Sequence, residues 1–377
     1  MRILHVTDVY LPRLGGIETH VQDLVTQQRA EGHDARVLTL TPAGPHALAD
    51  PDWVTRVAYP RVTFAGSRAG REVDALLAGA DAVQAHVSVL SAFALGVTRR
   101  AAARHVPTLV TVHSLWSHQA VLPPLLAGAA VGMSSWPVQW SAVSEAAAGS
   151  VRRVVGATTP VLVLPNAVDA DRWSVVHREP EVPTIFSVMR FARIKRPMAL
   201  ARMLREVRAR LPEETGLRAV LIGDGPQRAP VERYLQRHGM RGWVELPGRL
   251  SRDAIREAYA EATLYVAPAE RESFGIAALE ARSAGIPVVA SSRGGVGSFI
   301  TPGVNGILAD DDDAMVDAMV ELVSDRAAAA AIEANNRVAP VELDWAAAST
   351  RALEGYARAA RLAAGTVRAP QLAGGGR

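Results

Sequence analysis

Apolar residues recur along the chain as short strand-length runs separated by stretches of helical spacing. The first run, Arg2–Thr7, carries Ile3, Leu4 and Val6 and predicts a buried parallel strand. A loop follows over Asp8–Gly16, with Pro12 and the pair Gly15-Gly16; Ile17–Glu31 then shows helical spacing that Gly32 ends. Ala35–Thr39 reads as the second strand. Strand, glycine loop, helix and strand in that order predict the start of a doubly wound α/β sheet. Residues 43–60 are rich in proline and glycine and carry no strong period. Alternation resumes with strand Ala82–His86, a helix near Ala92–Arg104 and strand Thr108–His113. A proline- and tryptophan-containing stretch, 115–137, leads to strand Gln139–Val143, helix Glu145–Val155 and strand Val161–Leu164.

Pro165-Asn166-Ala167-Val168-Asp169 breaks this pattern, and over 170–182 charged residues and prolines replace the apolar runs, which places a domain hinge there. The same grammar then restarts. Strand Thr184–Met189 precedes a basic loop, Arg190–Arg196, and a helix to Leu211; strand Leu217–Ile222 enters the turn Gly223-Asp224-Gly225-Pro226, and another helix follows. After the short strand Val244–Leu246, Ser251 caps a helix across Asp253–Glu261, and strand Leu264–Ala267 enters the segment Pro268–Ser292. There Glu272 precedes a Ser-Phe-Gly turn, Glu280 sits in a short Ala/Leu helix, Gly285 and Pro287 stop that helix, and Val288–Ala290 is a strand. A glycine-rich loop runs through Asn305-Gly306 to Ile307–Leu308, followed by a helix from about Ala314 to Asp325 and a last amphipathic helix, Trp345–Ala364. The expected organisation is a first domain over 1–172, a second over 173–344, a helix over 345–365 crossing back onto the first domain, and a disordered tail over 366–377. Ligands are expected at the C-terminal edges of the strands in both domains.

Composition narrows the function. A chain of 377 residues suits two domains of moderate size, and 49% hydrophobic against 21% charged residues describes a well-buried globular protein. The balance of 41 basic and 38 acidic residues, a net +3, does not call for nucleic acid, and 5% aromatics offer no stacking platform for single strands. With no cysteine, disulfides, thiolate metal sites and a cysteine nucleophile are excluded. No run of ~18 apolar residues occurs, so the expected location is the cytoplasm, at most peripheral to the inner face of the membrane. Arg99, Arg100 and Arg104, with nearby apolar residues, form a thin patch that could touch anionic lipid. Asp310–Asp313 looks like a metal-binding run, but its place before Ala314–Val323 reads as a loop and helix N-cap.

Several motifs fall in a fixed order on strand ends: Pro12-Arg13-Leu14-Gly15-Gly16-Ile17-Glu18, His86, His113, Pro165-Asn166-Ala167-Val168-Asp169, Arg190 with Lys195, Gly223-Asp224-Gly225-Pro226, Pro247-Gly248-Arg249, and the Glu272–Glu280 segment. In this order and placement the chain resembles, over nearly its whole length, the retaining glycosyltransferases of the GT-B fold, of the bacterial family 4 type. That resemblance implies two Rossmann-like domains facing a central cleft. It implies transfer of a hexose-type sugar from a nucleoside diphosphate donor, uridine or guanosine, to the hydroxyl of a small metabolite, glycan or lipid. Alternatives are a GT-B sugar-nucleotide epimerase and a non-catalytic nucleotide-sugar-binding protein. The Gly15-Gly16 loop is not G-x-G-x-x-G, which counts against a dinucleotide dehydrogenase.

Residue by residue, the resemblance assigns Arg190 and Lys195 to the charge that builds up on the departing diphosphate. Glu272 is expected at the donor sugar and Glu280 at the ribose. A helix beginning near Gly275 points unpaired N–H groups at phosphate, with Ser273, Phe274 and Ile276 lining the donor beside it. Gly248 and Arg249 are placed by the nucleobase through their backbone, and Gly15 and Gly16 approach phosphate or sugar from the other domain. His113 is expected near the reacting sugar, His86 in a structural or acceptor-lining place, and His20 at the acceptor; the acceptor surface is assigned to loops 43–72 and 115–137. Arg193 and Arg196 are read as surface charge. The resemblance implies no metal and no further cofactor. Two departures stand out: Ser298 occupies a place where relatives often carry Glu, and Ala167 replaces the usual glycine of that motif.

Overall fold

The computed structural model describes residues 1–13, 15–44, 50–58, 67–89, 91–116, 132–338 and 342–367. It divides into two compact units, Met1–Ala167 with Trp345–Arg377, and Val168–Asp344. The chain therefore passes between units slightly before the 172/173 boundary expected from sequence. Val168 N donates to Leu343 O at 2.8 Å, and the Trp173 ring packs tilted against Tyr259 at 5.9 Å, both within the second unit.

In the first unit, β1 (Arg2–Thr7), α1 (Gly16–Ala30), β2 (Asp34–Thr39), β3 (Val54–Arg56), α2 (Arg68–Gly79), β4 (Ala82–Val87), α3 (Ala92–Ala102), β5 (Thr108–Val112), β6 (Gln139–Ala142), α4 (Glu145–Val155) and β7 (Val161–Val163) follow in order. The strands form one sheet in the order β3-β2-β1-β4-β5-β6-β7, and every pairing is parallel. Because helices cover both faces, β1, β4 and β5 are buried almost throughout. Two elements lie beyond the sequence-based reading. β3 is a three-residue edge strand too short to show alternation. In α2 only Gly70, Val73 and Leu77 are buried, and the start is set by Ser67, whose side chain accepts from Gly70 N.

The second unit contains α5 (Ala170–Trp173), β8 (Thr184–Val188), α6 (Pro197–Arg210), β9 (Arg218–Ile222), α7 (Arg228–Arg237), β10 (Val244–Gly248), α8 (Arg252–Tyr259), β11 (Leu264–Ala267), α9 (Ile276–Ser283), β12 (Val288–Ser291), β13 (Gly306–Ala309), α10 (Asp312–Ser324) and α11 (Arg326–Val338). Its sheet runs β10-β9-β8-β11-β12-β13, again parallel. The core joins Leu200, Leu204 and Val207 of α6 with Ala219 and Leu221 of β9 and Met315, Met319 and Leu322 of α10. Asp311 caps α10 by accepting from Ala314 N at 2.8 Å, as the acidic run suggested. α11 is a further element absent from the sequence reading: its alanine run has no apolar period, and Asp325 starts it by accepting from Ala327 N and Ala328 N at 3.0 Å.

The last helix, α12 (Trp345–Val367), belongs to the first unit. Ala352 and Tyr356 enter a core with Ile3, Val21, Val25 and Leu109. Gly355 permits the close approach, because a Cβ there would lie 2.9 Å from Leu109 Cδ2. The expected disordered tail lies outside the described residues from 368 onward, as do Leu14, much of loop 43–72 and most of 115–137. Among the described residues no helix is long and apolar enough to cross a membrane. Of the three arginines considered for lipid, Arg100 and Arg104 are both paired with Asp74 of α2, at 2.5 and 2.8 Å, which removes most of that patch's free charge.

Candidate active site

The second sheet reverses its strand order between β8 and β11, so the loops leaving these two strands border the crevice where open α/β sheets bind ligands. The loop after β8 is pinned by backbone bonds: Met189 N donates to Ile222 O at 3.0 Å, Phe191 N to Asp224 O at 2.9 Å, and Gln227 N to Phe191 O at 2.8 Å. Glycines make this possible. A Cβ on Gly223 (φ +132°) would lie 1.9 Å from Met189 O, and one on Gly225 (φ +152°) 2.7 Å from Phe191 O. Arg190 stands between the two pinned residues, exposed, with no hydrogen-bond or ion-pair partner for its guanidinium among the described residues.

A single 3-10 turn, Arg193–Lys195, then carries Lys195 to the loop after β11, where its Nζ donates to Glu272 Oε2 at 2.5 Å. Arg196 is not the surface charge expected of it. It takes left-handed φ 58° at the start of α6, and its guanidinium grips both oxygens of Asp312 at 2.8 Å and Pro268 O at 3.1 Å. Arg196 thus braces the Glu272 loop against α10.

Glu272 is held from the other side by the glycine-rich loop after β12. Gly295 N donates to Glu272 O at 2.7 Å, and a Cβ on Gly295 would lie 2.1 Å from Ser273 O. Gly275, at φ +95°, caps α9 without any side-chain hydrogen bond, and a Cβ there would meet Val296 Cγ2 at 2.6 Å. An α-helix so begun presents its first N–H groups and positive dipole end to whatever occupies the crevice. Ser273 and Ile276 flank this start half-buried. Phe274 does not line it with its ring: the side chain is 1% exposed and packs on Phe299 at 5.2 Å, so only its backbone is on offer.

Glu280, on α9, is buried with its Oε1 3.9 Å from the Arg252 guanidinium at the start of α8. Arg252 had no signal in the sequence beyond being a basic residue next to a helix cap. Below it, Tyr259 OH is buried without a hydrogen-bond partner among the described residues, and burial pushes its phenol well above its usual pKa. Gly248, at φ +85°, ends β10 and accepts from Gly223 N at 2.7 Å. Arg228, a second residue sequence reasoning missed, donates to Leu246 O at 2.8 Å and so ties α7 to this strand. Arg249 projects outward, 69% exposed and 3.9 Å from Asp224. Ser298 turns its hydroxyl onto Gly295 O at 2.6 Å.

Gly15, Gly16 and His113 belong to the first unit. Gly15 is the N-cap of α1 and makes no side-chain hydrogen bond. Glu18 is buried and pairs with Arg13 at 3.1 Å, and its Oε2 lies 2.5 Å from where a Gly15 Cβ would be. His113, just past β5, has its Nε2 3.0 Å from His86 Nδ1. His86 Nε2 lies in turn 3.0 Å from His5 Nδ1, and His5 Nε2 2.8 Å from Gln28 Oε1. The His20 ring packs edge-on to His113 at 5.1 Å and tilted to Trp345 at 5.5 Å, with its Nδ1 buried and without a hydrogen-bond partner among the described residues. Burial lowers all four imidazoles, His5 to about 4 and His113 to about 3. Ring nitrogens of His20, His86 and His113 lie within 4.8 Å of one another, a spacing open to a metal ion. Both nitrogens of His86, however, are already engaged by His5 and His113.

Two family models match the chain in succession, Glycosyltransferase Family 4 over residues 14–172 and Glycosyl transferases group 1 over residues 169–339. The chain belongs to the group 1 glycosyltransferases. Among solved structures, this glycosyltransferase is similar to HepE of Anabaena in complex with UDP and glucose, with a TM-score of 0.73 over 95% of this chain and 99% of that one. At 19% identity the likeness is one of fold, two Rossmann-like domains of the GT-B kind. A D-inositol 3-phosphate glycosyltransferase of Xylanimonas cellulosilytica is 31% identical over 185 residues, 48% of this chain and 43% of that protein, so the match spans less than half of the relative. The glycogen synthase of Mycobacterium tuberculosis is 27% identical over 402 residues, covering 96% of this chain and 95% of that one.

Proposed function

We propose that this glycosyltransferase moves a hexose-type sugar from a nucleoside diphosphate, uridine or guanosine, to an acceptor hydroxyl with retention of anomeric configuration. The observation that carries the reading is the Lys195–Glu272 pair beside the glycine-capped start of α9, at the switch point of the second sheet. A diphosphate seated on the helix end meets N–H groups and the dipole, and Lys195 turns from Glu272 to the phosphate oxygens. Arg190, on a loop anchored at both sides and with no partner for its guanidinium among the described residues, adds the second cation as charge builds on the leaving group. Glu272, released, accepts from sugar hydroxyls, and Glu280 with Arg252 takes the ribose. Arg190 and Lys195 supply the positive charge, so the reaction is proposed to run without a metal ion. The glycine pair 15–16 and His113 are proposed to meet the sugar and acceptor; the acceptor is a metabolite, glycan or lipid hydroxyl. UDP bound to the similarly folded HepE supports a nucleotide donor.

The test is release of nucleoside diphosphate and glycosyl product from UDP-glucose, UDP-N-acetylglucosamine and GDP-mannose, followed by mass spectrometry, with product anomers assigned by NMR and the rate repeated in EDTA. Lys195→Ala should lower turnover by about 10²–10³-fold, the usual loss on removing one preorganised charge-stabilising group. An unchanged rate and unchanged nucleotide affinity in that variant would overturn the donor-site assignment.

A further inference from the structure

A continuous buried hydrogen-bonded chain runs through the first unit from α12 to His113. Tyr356 OH donates to Gln84 Oε1 at 2.6 Å, and Gln84 Nε2 donates to Thr111 Oγ1 at 3.0 Å. Having given its only proton to Gln84, the Tyr356 oxygen accepts from Gln28 Nε2 at 3.2 Å. That contact turns Gln28 so that its carbonyl oxygen faces His5 Nε2, at 2.8 Å. Every bonded pair in this chain is at least 23 residues apart in sequence, and each residue is buried.

We infer that Tyr356 and Gln28 fix the tautomer of His113, acting through His5 and His86. An amide oxygen only accepts, so His5 carries its proton on Nε2 and leaves Nδ1 as a lone pair. His86 Nε2–H donates to that lone pair at 3.0 Å, which leaves His86 Nδ1 to accept from His113 Nε2–H at 3.0 Å. His113 therefore keeps Nδ1 as a bare lone pair with no hydrogen-bond partner among the described residues. A buried neutral ring of this kind accepts one hydrogen bond, and it neither donates from Nδ1 nor carries charge. Resting on the proposed reaction, Nδ1 of His113 accepts from a hydroxyl of the sugar or acceptor. A half-turn of the Gln28 amide would reverse every bond in the chain and make His113 Nδ1 a donor. Tyr356 on the C-terminal helix prevents that reversal, so a residue that touches no substrate is a positioning residue for one that does.

The experiment is two-dimensional proton–nitrogen correlation on the full chain labelled with ¹⁵N-histidine, which reads tautomers without any need for activity. At pH 7 the wild type should show His5, His86 and His113 all as the Nε2–H tautomer, and Nδ1–H or imidazolium at His113 would overturn the inference. Tyr356→Phe should give mixed tautomers at all three rings, and Gln28→Leu should do the same if the first variant folds poorly. A folded variant of either kind with unmixed Nε2–H signals would show that the helix does not set the chain. Under the proposed reaction, Tyr356→Phe also lowers kcat by about tenfold, the value of one net hydrogen bond, with donor KM little changed. Wild-type protein with the expected tautomers but no transferase activity would sink the functional reading and leave the tautomer chain standing.

Discussion

Lys195 Nζ and Glu272 Oε2 lie 2.5 Å apart, joining the loop after β8 to the loop after β11 at the reversal of the second sheet. The pair is partly exposed, with side chains 31% and 17% accessible, so its contribution to folding is small. Its importance is competition: while Glu272 holds Lys195, the cation is not free for phosphate. Glu272→Gln should therefore bind nucleoside diphosphate as tightly as the wild type or a few-fold more tightly, yet lower transfer by at least about 10²-fold because the sugar loses a charged acceptor. Titration calorimetry with UDP and GDP, set against steady-state rates, checks the sign. Weaker nucleotide binding in Glu272→Gln would show that the carboxylate, not the lysine, meets the phosphates.

Gly223 answers to backbone, not to ligand. Its Cβ would sit 1.9 Å from Met189 O at φ +132°, so Gly223→Ala must displace the loop that carries Arg190. A loss on the order of 2–4 kcal/mol is expected on denaturant unfolding. Gly242, with nothing within 4 Å of its would-be Cβ, is the control, and Gly242→Ala should be neutral. Equal behaviour of the two variants would mean that the Gly223 turn is not constrained as described.

The buried histidines make stability depend on pH. Burial lowers His5 to about 4 and His113 to about 3 from 6.5, and His20 and His86 move the same way. Between those values and 6.5 the unfolded chain binds protons that the folded one refuses. Stability is thus complete above pH 6.5 and falls as the medium is acidified, by up to ~1.4 kcal/mol per pH unit for each histidine. Melting temperature should drop steeply from pH 7 to 5, and His5→Gln should flatten the slope. A flat profile in the wild type would contradict the burial of these rings.

Tyr259 offers the opposite case. Its hydroxyl is buried with no hydrogen-bond partner among the described residues, so Tyr259→Phe removes a desolvated group and loses no bond seen there. The variant should match the wild type or gain up to about 1 kcal/mol in thermal or denaturant unfolding. A clear loss of stability would reveal a partner for that oxygen.

The alternation of apolar runs with helical spacing was sufficient to predict two parallel α/β halves, because strand burial and helix period are local properties of the chain. Capping was legible for the same reason, as at Ser251 and Asp311, where a side chain bonds a backbone group three residues on. Elements without a local signature were not legible: β3 is too short, and the alanines of α11 have no apolar face to read. Glycines marked where loops come close, yet only the fold shows that Gly223 yields to Met189 and Gly295 to Ser273.

By itself, then, the chain determined which segments are strands and helices and which loops gather glycine, acid and base at strand ends. Tertiary structure decided the partners. Strand order set Lys195 against Glu272, turned Arg196 from a surface charge into a clamp on Asp312, and withdrew the Phe274 ring into the core. It also aligned His5, His86 and His113 with Gln28 and Tyr356, residues that share no sequence period. The reason is physical: a helix or strand is encoded by neighbours in sequence, whereas a hydrogen bond between side chains far apart in sequence exists only once the sheet has brought their strands together.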